Sequence, residues 1–181
     1  QRVSERFSFA QCGTDLDAAL SADGVDLVFI TTQHHLHADQ AIAALSAGKS
    51  VWLEKPIALS VDDVDRVAEA ARSADGVFAV GYNRRFSSHA RGVREAFASR
   101  SGPMTVTYHV AAGATPSGTW ITDPATGGGR VLGEVCHFVD LCTYLVGTPP
   151  TRVQAVASGL DADLDDTVVA VLEYPDGSTA T

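Results

Sequence analysis

The sequence predicts an α/β fold in which a parallel sheet within residues 1–81 is followed by an α+β domain over residues 82–181. Strand and helix signals alternate up to about residue 81, and this order favours parallel strands joined by right-handed crossovers. From residue 82 onward the strand signals come as a run with helices to one side, which is typical of a mainly antiparallel sheet. We expect the domains to meet near residues 81–86.

The elements of the first half follow from apolar periodicity and from helix-end signals. The residues at 25–30 are apolar and partly β-branched, as in a buried strand. Thr14 is a candidate N-cap, and Ser60 with Asp63 approaches a capping box. Gly48 is expected to end a helix. Strands are predicted at 7–12, 25–30, 50–53 and 77–80, and helices at 15–22, 37–47 and from residue 60.

The second half begins with a helix and ends in strands. The alternation of apolar and polar residues at 104–110 predicts a half-buried strand. A turn at 175–177 is expected to join the last two strands into a hairpin. Helices are predicted at 87–99 and 133–146, a loop at 113–129, and strands at 104–110, 153–158, 167–174 and from 178.

Composition excludes several classes of protein. The net charge of −9 argues against a nucleic-acid-binding surface. No apolar run approaches the roughly 20 residues that cross a bilayer, so no membrane partner is expected. The three cysteines are odd in number and lack CxxC spacing, which argues against a disulfide framework and a zinc knuckle. A cytoplasmic protein is the resulting expectation.

Ionisable residues follow the predicted strand at 50–53. Glu54 and Lys55 would lie at the carboxyl edge of the sheet, where open α/β sheets bind their ligands. Pro56 cannot donate to a strand ladder and therefore ends the strand. The alternative for this triplet is a surface ion pair followed by a turn proline.

The segment 133–146 would place acids and a histidine on one helical stripe. Glu134 lies three residues before His137, and Asp140 three residues after it. A carboxylate raises the basicity of an imidazole and fixes its tautomer, which suits a general base. Alternatively, Glu134 is a first-turn acid that complements the helix dipole, worth about 0.3–1 kcal/mol.

Three blocks, at 54–56, 81–86 and 127–140, resemble in this order the Gfo/Idh/MocA oxidoreductases, the family of glucose-fructose oxidoreductase and inositol dehydrogenase. The resemblance covers nearly the whole chain. It implies a partial Rossmann-like domain, NAD or NADP as cofactor, and hydride transfer to or from a polyol, sugar or sugar derivative. It also implies a homo-oligomer that pairs through the C-terminal sheet.

The resemblance assigns roles to individual residues. It implies catalytic roles for Lys55 beside the nicotinamide and for His137 as the base, with Glu134 or Asp140 orienting the histidine. The bond between Lys55 and Pro56 is often cis in the resembling proteins. Arg85 is expected to be a solvated helix start. The residues expected to line the cofactor cleft are Thr31, Thr32, His34, His37, Glu54, Lys55, Pro56, Asn83 and Arg84.

The chain departs from the family pattern at two places. Gly133 occupies the position of the usual aspartate, and we hypothesise that Glu134 replaces it. This departure keeps a second function open, a non-catalytic nucleotide- or sugar-binding regulatory module. Gln33 and His34 stand in place of a proline-asparagine pair. Zinc bound by His34, His35 and His37 is a third hypothesis, although no nearby carboxylate or cysteine completes a tetrahedral set.

Two further observations bear on the extent of the chain and on its surface. No G-x-G-x-x-G pattern is present, so the chain is expected to be a fragment that lacks the first βαβ unit. Trp120 is interpreted as a core or interface aromatic, with packing against a sugar face as the alternative.

Overall fold

A computed structural model describes residues 2–113, 115–116, 118–157 and 167–181. None of the helices in these ranges is both long and apolar enough to cross a bilayer. The elements of the first half are α1 (Arg2–Phe7), α2 (Leu16–Leu20), β1 (Leu27–Ile30), a 3₁₀ turn (His34–Leu36), α3 (His37–Ser46), β2 (Ser50–Leu53), α4 (Val61–Ser73) and β3 (Phe78–Val80).

The predicted parallel sheet is confirmed. β2 lies between β1 and β3 and pairs in parallel with both. Leu53, the last residue of β2, is level with Ile30 of β1 and Val80 of β3. Because the three strands run the same way, their carboxyl ends meet at one edge, and the residues that follow them are brought together there.

One face of this sheet forms the core of the first half. Val51 and Leu53 of β2 are 1% and 0% exposed, and they pack with Ile30. Ala41 and Ala44 of α3 are fully buried in the same cluster. Alanine carries the smallest apolar side chain, so the helix can lie close to the sheet without leaving voids.

The opposite face of the sheet is open, which corrects the expectation of a fully buried strand at 25–30. Leu27 and Phe29 are 49% and 63% exposed, and Phe29 stacks on Trp52 with ring centroids 6.1 Å apart. Successive strand residues point to opposite faces, so an unbroken apolar run places half of its side chains away from α3.

Side-chain hydrogen bonds cap the first turns of α4 and α2. Ser60 caps α4 as predicted: its Oγ accepts from the Asp63 amide at 3.1 Å and donates to Asp63 Oδ2 at 2.8 Å. For α2 the predicted cap is wrong by one residue. Asp15 rather than Thr14 accepts from the Ala18 amide.

The strand predicted at 7–12 is wrong. α1 extends to Phe7, and the residues after it form a turn and loop in which Phe9 is 58% exposed. A strand needs a neighbour for its amide and carbonyl groups. In the described part of the first half, the only sheet consists of β1, β2 and β3.

The described residues of the second half form one sheet and two longer helices. Its elements are a 3₁₀ turn (Asn83–Phe86), α5 (Ser88–Ala96), β4 (Thr105–Val106), a 3₁₀ turn (Trp120–Thr122), a π-helical turn (Val131–Val135), α6 (Cys136–Val146), β5 (Arg152–Ala157), β6 (Val168–Glu173) and β7 (Thr179–Ala180).

The second sheet is mainly antiparallel, as predicted. Its order is β4-β7-β6-β5, with antiparallel β5–β6 and β6–β7 pairs and a parallel β4–β7 pair. α6 covers one face, where Cys142 and Val146 pack with Leu172, Tyr174 and Ala180. This apolar layer fixes α6, and with it the π-helical turn that precedes it, against the sheet.

Several element boundaries differ from the prediction, including two in this half. The strand expected at 104–110 is limited to β4, although the Tyr108 amide beyond it still donates to the Thr181 carbonyl at 2.7 Å. The helix expected at 133–146 begins earlier, as the π-helical turn, and becomes α-helical at Cys136. Ser158, predicted as the end of a strand, lies outside the described residues.

Truncation of Leu53 tests the core beneath the sheet edge. We expect Leu53→Ala to lower the free energy of unfolding by about 2–5 kcal/mol, because it leaves a cavity under a fully buried position. Urea denaturation measures this loss. The matched control is Val61→Ala on α4, which is 76% exposed and should change stability by less than about 0.5 kcal/mol. Equal losses in the two variants would contradict this description of the core.

Candidate active site

Lys55 connects the two halves of the chain. It follows β2, and its peptide bond to Pro56 is cis, as predicted. The Nζ atom donates to the Gly133 carbonyl at 2.9 Å and to Glu134 Oε1 at 2.7 Å. The side chain is only 17% exposed. An ammonium so placed at the carboxyl edge of the sheet is largely withdrawn from water, and two of its three N–H donors are paired.

Glu134 lies between two cations. Its Oε1 atom accepts from Lys55, and its Oε2 atom is 3.9 Å from Arg84 Nη2. Burial by itself raises the pKa of the Glu134 carboxyl, but the Lys55 ammonium outweighs it, so the pKa lies below its usual value. Glu134 is therefore a carboxylate at neutral pH.

His137 lies one turn beyond Glu134, at the start of α6. The residue is 6% exposed, and Nδ1 is buried with no hydrogen-bond partner among the described residues. Burial lowers the pKa of the imidazole, and Lys55 and Arg84 lower it further, whereas Glu134 raises it. His137 is thus neutral at pH 7 and keeps a lone pair that can accept a proton.

Asp140 is engaged elsewhere, in contrast to the predicted arrangement in which it could orient His137. Its Oδ2 atom accepts from Arg85 Nε at 2.9 Å, and Oδ1 accepts from Nη2 of the same guanidinium. The Asp140 side chain is 10% exposed, so this bidentate pair is largely desolvated. Arg85, expected to be solvated, instead joins the second 3₁₀ turn to α6.

Arg84 points into the site, whereas Asn83 makes no contact with the residues of the site. The Arg84 Nη1 atom donates to the Tyr108 hydroxyl at 2.8 Å, and its guanidinium lies 4.8 Å from the centre of the Phe138 ring. These contacts orient the planar group toward Glu134. Asn83 begins the 3₁₀ turn and is exposed.

The residues predicted to bind the cofactor from the end of β1 are only partly on the surface. Thr31 and Thr32 are exposed, and the Thr32 hydroxyl donates to Gln40 Oε1 at 2.7 Å.

Glu54 directly follows β2, and its Oε1 atom accepts from the Trp52 indole at 3.4 Å. A Cβ at Gly81 would lie 2.7 Å from Glu54 Oε1, so a larger residue there would displace the end of the Glu54 side chain.

His37 lies beneath the cleft rather than on it, which corrects its prediction as a cofactor contact. It is 0% exposed, with Nδ1 2.7 Å from the Pro56 carbonyl and Nε2 3.1 Å from the Thr32 carbonyl. Carbonyls can only accept, so the ring nitrogen that carries the hydrogen donates to the carbonyl it faces. His37 fixes the turn that presents Lys55.

His34 is also turned inward, although it too was predicted to contact the cofactor. Its ring is 8% exposed, and Nδ1 donates to the Gly127 carbonyl at 2.7 Å. The buried nitrogens of His34 and His37 thus already have carbonyl partners. Within the described ranges no three potential ligands converge as a metal site requires.

Several contacts of the site had no signal in the sequence. Trp120 meets the His34 ring edge-to-face, with centroids 4.8 Å apart. Tyr82 packs on His137 with centroids 6.1 Å apart, and burial raises the pKa of Tyr82 to about 12, so its hydroxyl stays protonated. Each pair joins residues far apart in the chain, and local periodicity does not report such pairs.

The donor set suits the nicotinamide end of a dinucleotide. A paired ammonium, a guanidinium and a neutral imidazole whose buried nitrogen has no partner in the described part of the chain converge at the carboxyl edge of a parallel sheet. These groups can hold and polarise an oxygen and accept its proton. The sequence contains no G-x-G-x-x-G turn, so these residues do not supply the usual pyrophosphate cradle.

Family models match most of the chain. Residues 1–82 match the model described as an oxidoreductase family with an NAD-binding Rossmann fold. Residues 102–181 match the model of the GFO/IDH/MocA C-terminal domain. The two matches follow one another in the same order as the two sheets.

Individual relatives agree with these models. Myo-inositol 2-dehydrogenase of Thermotoga maritima is 27% identical over 98% of this chain and 55% of that protein. Inositol 2-dehydrogenase of Rhizobium meliloti is 30% identical over 91% of this chain and 52% of that protein. A levoglucosan dehydrogenase structure, in complex with NADH and levoglucosan, superposes with a TM-score of 0.85 at 26% identity, over 99% of this chain and 54% of that one. The chain spans about half the length of the curated relatives it matches.

Titration of Glu134 tests its pairing with Lys55. We expect Lys55→Met to raise the pKa of Glu134, because burial then acts without the compensating ammonium. In the unmodified protein the pair stabilises the fold above the unfolded pKa of glutamate, and this contribution is lost as pH falls through the lower folded value. Carboxyl ¹³C NMR follows the titration.

The matched control for this titration is Lys49→Met, which removes the only other lysine of the chain. It should leave the pKa of Glu134 where it is in the unmodified protein. A Glu134 carboxyl with an ordinary pKa in the unmodified protein would show that the pair does not form in solution.

Proposed function

Because the chain belongs to the Gfo/Idh/MocA oxidoreductase family, we propose that it forms part of an NAD(P)-dependent dehydrogenase acting on a polyol, sugar or sugar derivative. The observation that carries this proposal is the convergence of Lys55 and neutral His137 at the carboxyl edge of the parallel sheet. The names of the relatives, which are dehydrogenases and reductases of sugars and polyols, support the substrate class.

In the proposed reaction a carbinol carbon loses a hydride and its hydroxyl loses a proton, so a carbonyl forms. A bound nicotinamide ring supplies the hydride acceptor. Lys55 donates a hydrogen bond to the substrate oxygen and stabilises the negative charge that develops there. The lone pair of neutral His137 takes the hydroxyl proton.

Glu134 takes the place of the aspartate that the family resemblance leads one to expect at position 133. Its carboxylate holds the Lys55 ammonium at 2.7 Å and, with the Gly133 carbonyl, directs it to one point of the cleft. Glu134 therefore orients Lys55, whereas its predicted partner was His137. This pairing favours the catalytic function over the non-catalytic regulatory module, because a binding module does not need a desolvated, aligned lysine.

We propose either NAD or NADP as the cofactor of the whole protein. NADH is present in the levoglucosan dehydrogenase structure, whereas D-xylose 1-dehydrogenase of Haloferax volcanii, 29% identical, is named for NADP(+). The boundary between the two domains is proposed at residues 81–82, supported by the end of the first family match at residue 82.

A homo-oligomer is proposed through the open face of the second sheet. Val156 of β5 and Val169 of β6 are cross-strand neighbours and are 71% and 64% exposed. An Arg152–Glu173 ion pair at 3.3 Å borders them. An apolar strip with a charged rim is typical of a protein–protein interface.

A reducing cytoplasm is likewise proposed as the compartment, supported by the free thiols of Cys12, Cys136 and Cys142.

Nucleotide binding and turnover of the full-length protein test the function. We expect saturable NADH or NADPH binding by fluorescence titration, weakened by Lys55→Ala. With myo-inositol, D-xylose and levoglucosan as the substrate panel, His137→Ala should lower kcat by about 10²–10⁴-fold, the usual contribution of a general base.

The control for this loss is His89→Ala, which changes an exposed histidine of α5 and should keep full turnover. Wild-type turnover in His137→Ala would remove the base assignment. Failure to bind either nucleotide would leave the non-catalytic module as the function.

Charge placed on the open sheet face tests the oligomer. Val169→Glu should reduce the mass measured by analytical ultracentrifugation to that of a monomer, because an unpaired carboxylate is costly in an apolar interface. Val61→Glu, at an exposed position of α4, should leave the mass unchanged. An oligomer that survives Val169→Glu would place the interface elsewhere.

A further inference from the structure

The loop at 120–129 is attached to the first half of the chain at two consecutive residues. The His34 imidazole donates to the Gly127 carbonyl at 2.7 Å. The His35 amide donates to the Thr126 carbonyl at 3.2 Å. Because the first 3₁₀ turn starts at His34, this attachment joins the end of β1 to a loop of the second half.

Trp120 completes this contact from the start of the loop. Its indole meets the His34 ring edge-to-face, with centroids 4.8 Å apart and planes at 80°. His34 is buried, but Trp120 remains 38% exposed. One part of the indole is therefore fixed by the imidazole while another part faces solvent.

Two glycines make room for the His34 ring and its loop. A Cβ at Gly133 would lie 3.2 Å from His34 Cε1, closer than side-chain contacts normally come. A Cβ at Gly127 would lie 2.4 Å from the Trp120 carbonyl oxygen. The imidazole thus occupies space that a side chain at position 133 would otherwise need.

Gly133 also connects this contact to the candidate active site. Its carbonyl accepts from Lys55 Nζ at 2.9 Å, and the next residue is Glu134, the acid paired with Lys55. Trp120, His34 and Gly133 therefore form a continuous row of contacts that ends at the lysine.

We propose that His34 is a positioning residue that fastens the loop at 120–129 to the first half and holds the Trp120 indole as a wall of the substrate cleft. The inference rests on the proposed function, since it assigns Trp120 to the apolar C–H face of the polyol or sugar. His34 itself touches no substrate. It acts through the position of Trp120 and through the space that its ring occupies beside Gly133.

The charge state of His34 provides a direct probe of the contact. Burial lowers the pKa of His34; its bond to the Gly127 carbonyl raises it, His37 and Lys55 lower it, and Glu134 raises it. The other ionisable groups on the attached segments are His35 and Asp123, and the Ala125 amide, the Thr126 hydroxyl and His35 lower the pKa of the Asp123 carboxyl.

Fluorescence of Trp120 reports this protonation, because an imidazolium in contact with indole quenches its emission. In full-length protein whose other tryptophans, including Trp52, are replaced by phenylalanine, emission should fall as pH drops through a midpoint below 6.5. The titration should disappear in His34→Gln and persist in His35→Gln. A titration that persists in His34→Gln would overturn the proposal.

A second reporter covers the case in which His34→Gln does not fold. Trp120→Phe with Trp52 retained should show no such titration between pH 5.5 and 7.5, and circular dichroism verifies that this variant is folded. The same quenching seen from Trp52 alone would overturn the proposal, because the signal would then not come from the His34–Trp120 contact.

Kinetics then separate positioning from chemistry. For whichever panel substrate is oxidised, His34→Ala should raise KM by roughly tenfold with little change in kcat, as expected for a lost pocket contact. An unchanged KM in folded His34→Ala would overturn the role of Trp120 as a cleft wall. The fluorescence titration requires no turnover, so failure of the proposed function and failure of this inference give different results.

Discussion

The arrangement of the site depends on the two hydrogen bonds that the Lys55 ammonium donates. Lys55 lies at the end of β2, the central strand of the first sheet, and reaches the Gly133 carbonyl and Glu134 in the second half. Each partner has its own support. Leu53, fully buried, fixes the strand below the lysine, and α6 fixes the turn that carries Glu134. Without the lysine, the Gly133 carbonyl and the Glu134 carboxylate, two neighbouring acceptors, would lose the donor they share.

The same lysine sets the electrostatics of its neighbours. It lowers the pKa of Glu134 and of His137, so that the acid is charged and the base is neutral over the same pH range. Arg84 acts in the same direction on both groups. Lys55 and Arg84 together keep Glu134 ionised and His137 neutral. They do so although the chain as a whole carries a net charge of −9.

Much of the fold was predictable, because parallel strands and amphipathic helices leave local patterns. The Ser60 cap and the strand before Lys55 are examples. The strand at 7–12 was wrong, since apolar residues do not show whether a neighbouring strand exists. The Asp140–Arg85 pair and the burial of His34 and His37 arise from contacts between distant segments. Sequence spacing alone does not encode those contacts.

The π-helical turn at Val131–Val135 has a consequence for how this site can change over evolutionary time. A π turn is an α-helix that accommodates one extra residue, and such turns are often found at functional sites. Loss of a single codon here would restore an α-helical turn without breaking α6, and would rotate Glu134 relative to Lys55. A one-residue deletion, rather than a substitution, is therefore the mutation that separates the fold of this segment from its chemistry.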